Sequence, residues 1–504
     1  MNRKRLMLMA VAVTATAIVN AATQPNILFL SVDDLKPELG CYGSTQIKTP
    51  NIDRLAEGGM VMLNNYCQQA LCAPSRMSTF TGLRPDSTKV WDLKTNLREV
   101  CPEAVTMQQY FKENGYASAG CGKVMHGSKD EDPPSWSIPF RHDADLSYHK
   151  DYAVPADLQY QAKSIHQAFK QLETMGIKGY KPRKDWLKAQ DARPATECLD
   201  VPDDAYADGA IANYGIELLD GFSKTKQPFF LTLGIHKPHL PFVAPKKYWD
   251  LYDREKIDLA PFREQAKGSP DYAYHSWGEL RNYSGTPKKG DVTDDQQREL
   301  IHAYYACISY VDAQIGRVLD KLKATGLDKN TVVVLWGDHG WHLGDHGLWC
   351  KHSNFEQATH APLIISAPGF PTAEKSKSMT EFVDIYPTLC ELAGLPVPET
   401  LEGSSLVPIL KNPKAKVKDF AMSQYPREHV KLMGYALRTE RYRMVAWVDE
   451  AVSRTGKFDP SKIDSIELYD YQNDPLETVN LAKNPEYKSI VAELSKKLEG
   501  FFKQ

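Results

Sequence analysis

A cysteine, a proline and an arginine stand close together in the segment Cys72-Ala73-Pro74-Ser75-Arg76. Proline fixes a helical φ and lacks the N–H that a first helical turn leaves unbonded, so the spacing predicts a helix that begins at the cysteine. The free N–H groups of that turn, the helix dipole and the Arg76 guanidinium would converge on a negative charge beside position 72. The residues alone therefore predict an activated thiol, and a buried structural cysteine is the alternative.

Two pairs of possible metal ligands stand where strand-like runs end. Asp33-Asp34 follows the first apolar run of the mature chain, and Asp338-His339 follows the most strand-like run. Adjacent carboxylates at the end of a buried strand repel each other unless a cation neutralises them, so these pairs predict a metal site. Asp338 suits a hard cation and His339 suits a transition metal, which leaves the metal open. A solvated turn is the alternative for the first pair.

Lysines and histidines follow two further strand-like runs and the second metal pair. A lysine can hold an anion, and a histidine can move a proton, when both face one pocket. A surface pair is the alternative for the first lysine and histidine, and a zinc site is a weaker alternative for the two later histidines. The residues are Lys123 and His126 after 116–120, His236, Lys237 and His239 after 228–233, and Lys351 beyond the second metal pair.

The elements that must position these residues alternate along the chain. Apolar runs at 26–32, 228–233 and 331–336 predict strands buried on both faces, with helical patterns between them. The longest helical pattern begins with a capping box at Thr293 and is stopped by Gly326. This alternation predicts an α/β fold with a large, mainly parallel sheet sandwiched by helices. Such sheets bind ligands at the carboxyl ends of their strands.

Changes in composition divide the chain. Residues 1–22 combine basic residues, an apolar run and small residues, which predicts a signal peptide and a periplasmic or secreted protein. We assign 23–412 to a catalytic domain and 413–504 to a small C-terminal α+β subdomain with an antiparallel sheet. The irregular stretches 127–200 and 240–292 are predicted to be insertions that shape substrate choice.

The overall composition excludes several classes of protein. The 504 residues are 42% hydrophobic and 25% charged, which is ordinary for a globular protein and unlike a disordered or fibrous one. The net charge of −3 gives no reason to expect nucleic acid or an anionic membrane as a partner. Beyond the signal peptide no apolar run is long enough for a membrane span, although a lipid anchor is a minority alternative. The nine cysteines lack the spacing of a metal site or a disulfide scaffold.

The pentapeptide that begins at Cys72 resembles the sulfatase signature Cys-x-Pro-Ser-Arg, and the resemblance extends over essentially the whole mature chain. In that family a maturation enzyme oxidises the cysteine to formylglycine. The resemblance implies an alkaline-phosphatase-like fold, a formylglycine-generating partner and Ca²⁺. The implied calcium ligands are Asp33, Asp34, Asp338, His339 and formylglycine 72, and the implied catalytic residues around the sulfate are Cys72, Arg76, Lys123, His126, His236 and Lys351.

The resemblance also predicts the substrate. The spacing Lys123-x-x-His126 is typical of one branch of the family, whereas many arylsulfatases have Lys-x-His. Surplus cations in these loops, among them Lys237 and His239, suit a uronate carboxylate, and Trp341 could offer a face to a sugar ring. We therefore predict an exo-acting 2-O-sulfatase of uronic-acid-containing sulfated oligosaccharides. A phosphatase or phosphonate hydrolase of the same superfold and a catalytically silent glycan-binding protein are the alternatives.

Overall fold

The computed structural model describes residues 24–503, so the predicted signal peptide lies outside it. The strands are β1 (Asn26–Val32), β2 (Met60–Tyr66), β3 (Ala117–Gly122), β4 (Thr196–Leu199), β5 (Phe229–Ile235), β6 (Phe242–Pro245), β7 (Thr331–Gly337), β8 (His342–Leu343), β9 (Trp349–Cys350), β10 (Leu363–Ser366), β11 (Glu374–Glu381), β12 (Ala421–Arg427), β13 (Leu432–Arg438), β14 (Tyr442–Asp449) and β15 (Ser465–Asp470). The helices are α1 (Pro50–Glu57), α2 (Cys72–Thr81), α3 (Pro85–Thr88), α4 (Leu97–Val100), α5 (Met107–Glu113), α6 (Lys163–Thr174), α7 (Tyr180–Ala189), α8 (Ala207–Phe222), α9 (Lys246–Trp249), α10 (Asp294–Ala324), α11 (Glu356–Thr359), α12 (Ile385–Leu392), α13 (Val407–Lys411), α14 (Ala451–Thr455) and α15 (Lys488–Phe501).

A seven-stranded sheet with the order β11-β2-β10-β7-β1-β5-β3 forms the centre of the molecule. The neighbours β7, β1, β5 and β3 all run parallel to one another. β10 runs antiparallel to both of its neighbours, so the sheet is mixed although mainly parallel. The predicted α/β fold with a large sheet is confirmed.

Helices cover both faces of this sheet because its central strands are apolar on both sides. In β1, Leu28, Leu30 and Val32 pack into the core beneath α8 and α10, whereas Ile27 and Phe29 pack into the core beneath α2, α5 and α12. The side chains of a strand alternate between faces, so a continuous apolar run fills two cores at once. No helix within residues 24–503 is long and apolar enough to cross a membrane.

The predicted signals at the ends of α10 are present in the structure. The Thr293 side chain accepts a hydrogen bond from the backbone N–H of Gln296, and the Gln296 side chain accepts one from the Thr293 N–H. This reciprocal pair satisfies donors that a helix N-terminus otherwise leaves unbonded. Gly326, just beyond the helix, has φ 75°, a value that glycine adopts without strain.

The two stretches predicted as irregular insertions have structure of their own. Residues 127–200 contain α6, α7 and β4, and residues 240–292 contain β6 and α9. β4 and β6 pair in parallel, so the two insertions join each other beside the main sheet. Sequence periodicity missed this arrangement because these elements are short and their pairing spans some distance along the chain.

A second, antiparallel sheet with the order β12-β13-β14-β15 lies near the C-terminus, as predicted. Leu494 and Leu498 of α15 pack against its apolar face. The predicted boundary at residue 413 falls between α13 and β12. Tyr425 on β12 contacts His352 from the main domain, with 2.7 Å between the hydroxyl oxygen and Nδ1, so this subdomain reaches the loops described next.

Candidate active site

Four parallel strands deliver the candidate residues to one edge of the sheet. β1 ends before Asp33, β7 before Asp338, β5 before His236 and β3 before Lys123. These strands are direct neighbours in the order β7-β1-β5-β3, so their carboxyl ends lie side by side. The structure thus brings together residues separated by more than two hundred positions, at the edge where α/β sheets bind ligands.

Glycines allow the ends of β3 and β5 to approach closely. A Cβ on Gly122 would lie 2.1 Å from the Gly234 carbonyl oxygen, and a Cβ on Gly234 would lie 2.3 Å from the Lys123 backbone. Gly122 also has φ 75°. Side chains at these two positions would force apart the strand ends from which Lys123 and His236 emerge.

Cys72 begins α2 and lies buried at the centre of the site. Its Sγ is 3.5 Å from His339 Nε2, 3.6 Å from Lys123 Nζ and 4.0 Å from Asp34 Oδ1. Burial raises the pKa of the thiol well above its usual value, and the nearby Lys123 and Lys351 only partly oppose this shift. The unmodified thiol is therefore protonated and a poor nucleophile, which argues against the activated-thiol interpretation.

Arg76, one turn along α2, joins the two metal pairs. Its Nε donates to Asp338 Oδ2 at 3.0 Å and its Nη2 to Asp33 Oδ1 at 2.9 Å. Nη1 donates to Ser31 Oγ and to two backbone carbonyls. The side chain is fully buried, and each of its nitrogens is already bonded. Arg76 therefore joins the loops after β1 and β7, and its predicted place around the sulfate stays a prediction.

The predicted metal ligands form a buried cluster. Ligand atoms of Asp34, Cys72, Asp338 and His339 lie within 4.8 Å of one another. His339 Nδ1 is 2.9 Å from the Gly340 carbonyl oxygen, which can only accept, so Nδ1 carries the hydrogen and Nε2 turns its lone pair toward the cluster. Burial raises the pKa of Asp338, and the neighbouring cations only partly oppose this. A divalent cation would relieve the crowding of carboxylates, so the residues present fit a metal ion.

Two lysines contact the aspartates of the first metal pair. Lys123 Nζ contacts Asp33 Oδ2, and Lys351 Nζ lies 3.0 Å from each carboxylate oxygen of Asp34. Burial alone would raise the pKa of Asp33, but Lys123 and Arg76 hold it well below its usual range. A metal ion bound by these aspartates would release both lysines toward an incoming anion.

His126 lies at the end of the loop that begins with Lys123. Asp130 fixes this loop because its carboxylate accepts backbone N–H bonds from Val124 at 2.9 Å and from His126 at 3.2 Å. Burial, reinforced by Lys123, lowers the pKa of His126 to about 2. The imidazole is therefore neutral, because its charged form is disfavoured in this environment. Sequence patterns gave no signal for Asp130.

His236, at the end of β5, is held by two acidic residues that the sequence analysis missed. Its backbone N–H donates to Asp208 Oδ1 at 2.7 Å, and its Nε2 lies 2.8 Å from Asp143 Oδ2. Burial alone would lower the pKa of His236, but Asp143 outweighs burial and raises it. His236 is therefore suited to donate a proton. Asp143 comes from the first insertion, where no motif marks it.

Glu279 is a third acidic residue that sequence reasoning missed. It lies in the second insertion, 3.0 Å from Lys351 Nζ, 3.0 Å from His239 Nε2 and 3.2 Å from His352 Nε2. Burial alone would raise the pKa of Glu279, but Lys351 and the two histidines hold it well below its usual range. One carboxylate thus contacts several cationic side chains at once, among them the His239 that the sequence analysis counts as surplus.

Two residues predicted to bind substrate have other roles. Trp341 is fully buried against Phe242 and Tyr304, and its ring centroid lies 4.9 Å from Lys351 Nζ. It therefore supports Lys351 and presents no face to a sugar. Lys237 Nζ donates to three neutral oxygens at 2.7–2.8 Å and so fixes the loop after β5, at the edge of the same pocket that His239 lines. His239 remains one-quarter exposed and lines a pocket.

The fold and the site together define a class of protein. A mixed α/β sheet carries clustered carboxylates, a buried residue at a helix start and two lysines at its carboxyl edge. This is the arrangement of hydrolases of oxyanion esters with the alkaline-phosphatase-like fold. Comparison with known proteins gives the family.

Residues 25–395 match the family described as Sulfatase, and residues 344–504 match the family described as N-sulphoglucosamine sulphohydrolase, C-terminal. Iduronate 2-sulfatase from Homo sapiens is 34% identical over 530 residues, covering 90% of each chain. Among solved structures, a 2-O GAG sulfatase has a TM-score of 0.68 at 22% identity and covers 95% of this chain and 92% of its own. A phosphonate monoester hydrolase from Silicibacter pomeroyi has a TM-score of 0.70 at 21% identity and covers 95% of each chain.

The chain therefore belongs to the sulfatase family, and the predicted resemblance is confirmed. The branch that the Lys123-x-x-His126 spacing indicates is that of iduronate 2-sulfatase. The chain is an enzyme that hydrolyses sulfuric esters. The likeness to the phosphonate hydrolase is one of fold alone.

Proposed function

We propose that this sulfatase removes a 2-O-sulfate from a uronic acid at the end of a sulfated oligosaccharide, using Ca²⁺ and a formylglycine made from Cys72 by a maturation enzyme. The observation that carries the proposal is the position of Cys72, which faces both metal pairs and Lys123 across distances of 3.5–4.0 Å. Residues 1–22 would export the protein to the periplasm or the medium. The 34% identity to human iduronate 2-sulfatase supports the choice of uronate.

Each residue around position 72 has a physical task in this proposal. Hydrated formylglycine would supply a hydroxyl nucleophile, and calcium held by Asp33, Asp34, Asp338 and His339 would neutralise a sulfate oxygen. Lys123 and Lys351 would bind the remaining sulfate oxygens. The two histidines would have different tasks. His236, whose pKa Asp143 raises, would donate a proton to the departing sugar oxygen, and His126 would take the proton of the remaining hydroxyl.

Replacing His236 with alanine should slow the release of sugar alcohols much more than that of 4-nitrophenol. A sugar alkoxide needs a proton as it leaves, whereas nitrophenolate does not. We expect kcat for the sugar sulfate to fall by about 10²-fold or more, with a much smaller loss for 4-nitrophenyl sulfate. Steady-state kinetics on both substrates test this. Equal losses on both would mean that His236 does not act as the acid.

Replacing Asp143 with asparagine should move the alkaline limb of the pH profile of kcat to lower pH. Asp143 raises the pKa of His236, and only the protonated imidazole can donate. Without that carboxylate the acid form is lost at a lower pH. The profile measured on a sugar sulfate checks this, with the exposed Asp145→Asn variant as the matched control. An unmoved limb would contradict the role given to Asp143.

The substrate assignment is tested by following sulfate release from a panel of sugars. We expect kcat/KM for a 2-O-sulfated uronate disaccharide to exceed that for 6-O-sulfated hexosamines and for neutral sugar sulfates. Faster release from a neutral sugar would overturn the uronate assignment, while the sulfatase family would stand.

A further inference from the structure

The proposed uronate needs a cation for its carboxylate, and the cations expected for this task are engaged elsewhere. Three oxygens of the protein surround the ammonium of Lys237. His239 and His352 both face Glu279. His342 and His346 are buried, and their Nε2 atoms contact Ser353 and Glu477. Because each of these side chains already has partners in the protein, another cation near the sulfate site is better placed to bind a carboxylate.

A pocket of about 240 Å³ opens beside the sulfate-binding residues. Lys123, His236, Lys237 and His239 line it, together with Asp157, Arg193 and Tyr283. A sugar whose sulfate lies at Lys123 would extend into this pocket. The residues that line this pocket could therefore contact the rest of the substrate ring.

The backbone at Arg193 is fixed where the two insertions meet. The Ser284 N–H donates to the Arg193 carbonyl oxygen at 2.7 Å, and the Tyr160 hydroxyl donates to the Pro194 carbonyl oxygen at 2.7 Å. The guanidinium carbon lies 5.0 Å from the centroid of the Tyr283 ring, which orients the side chain. Arg193 is therefore preorganised before any ligand arrives.

The guanidinium of Arg193 retains unused hydrogen-bonding capacity. Its buried Nε has no hydrogen-bond partner among the residues that the structure describes. Its Nη1 lies 3.5 Å from Asp157 Oδ2, and the Asp157 side chain is 48% exposed. A loose, half-exposed ion pair of this kind contributes little. The two terminal nitrogens of the guanidinium, Nη1 and Nη2, can bind both oxygens of a carboxylate, so a ligand could displace the loose contact with Asp157.

On the basis of the proposed uronate substrate, we propose that Arg193 binds the uronate carboxylate and determines the preference for acidic over neutral sugars. Lys123 and Lys351 hold the sulfate, and Arg193 holds the second anion of the same ring across the shared pocket. The substrate class is then selected by a residue of the first insertion, supported by Tyr283 of the second.

The test uses matured enzyme and two substrates that differ in a single group. One is a disaccharide with a 2-O-sulfated uronate as its sole sulfated residue, and the other is its carboxyl-reduced counterpart. In the Arg193→Met variant, kcat/KM for the uronate should fall at least about tenfold more than kcat/KM for the reduced sugar, mainly through KM. Arg193→Lys keeps the charge without the two terminal nitrogens and should recover only part of the preference. Arg254→Met, in the second insertion, is the matched control.

Three results of this experiment would contradict the proposal, and each has a different meaning. If the wild type prefers the uronate and Arg193→Met keeps that preference, the role of Arg193 is overturned while the proposed function stands. Equal losses on both substrates, with a lowered melting temperature, would give Arg193 a structural role and overturn the assignment as well. If the wild type itself shows no preference for the uronate, the proposed substrate is wrong and the role of Arg193 falls with it.

Discussion

Sulfate release should fall by at least about 10⁴-fold when Cys72 is replaced by alanine, because the variant cannot form the proposed nucleophile. The substitution removes one sulfur atom from a buried position at the start of α2 and leaves the contacts of Arg76 in place. We therefore expect the melting temperature to change little. Sulfate release and thermal unfolding, measured on the same preparation, test both parts of this expectation.

The matched control for this substitution is Cys390→Ala, because Cys390 is also buried but lies on α12 and is not one of the clustered ligands. It should keep full activity. Mass spectrometry of the wild type should show an aldehyde in place of the thiol at position 72. A fully active preparation that carries only unmodified cysteine at this position would rule out the proposed nucleophile.

Much of the site could be predicted because its residues follow local rules. Asp33, Asp338, His236 and Lys123 each stand directly after an apolar strand, and parallel strands bring their carboxyl ends to one edge. The signature around Cys72 likewise depends on the geometry of a single helix start. Both patterns are determined by residues close together in the sequence.

The acidic partners could not be predicted in this way. Asp143 and Glu279 lie in the two insertions, and their contacts with His236 and Lys351 span roughly seventy to ninety positions. No periodicity fixes where such segments fold back. Glu279 also changes the interpretation of the site, because it contacts cations that had no acidic partner in the sequence analysis.

The burial of Trp341 could not be predicted from the sequence either. It follows the second metal pair in a segment rich in polar residues and glycine, which suggested an accessible ring. Its burial is determined by Phe242 and Tyr304, which come from β6 and α10. Only the tertiary packing of distant elements decides whether such a ring faces solvent or the core.

Removing the metal should abolish activity and also lower the stability of the protein. The cation would be shared by carboxylates that lie close together, so chelation would leave them repelling one another and would remove the counter-ion of the sulfate. A metal ion at a free concentration of about 100 times its Kd stabilises the folded state by about 3 kcal/mol. Chelation removes this stabilisation. We expect a chelator to lower both the melting temperature and sulfate release, and added Ca²⁺ to restore them.

Asp338→Asn should reproduce the effect of chelation, because it removes one carboxylate from the cluster and leaves Arg76 without one of its two buried partners. The control is Asp320→Asn, whose exposed side chain pairs with Arg54 at the surface. Ca²⁺ should protect the wild type from thermal unfolding and protect the Asp338 variant much less. Metal analysis that finds two zinc ions per chain, with no response to Ca²⁺, would contradict the calcium assignment, because the donor set would then serve the chemistry of a two-metal phosphatase.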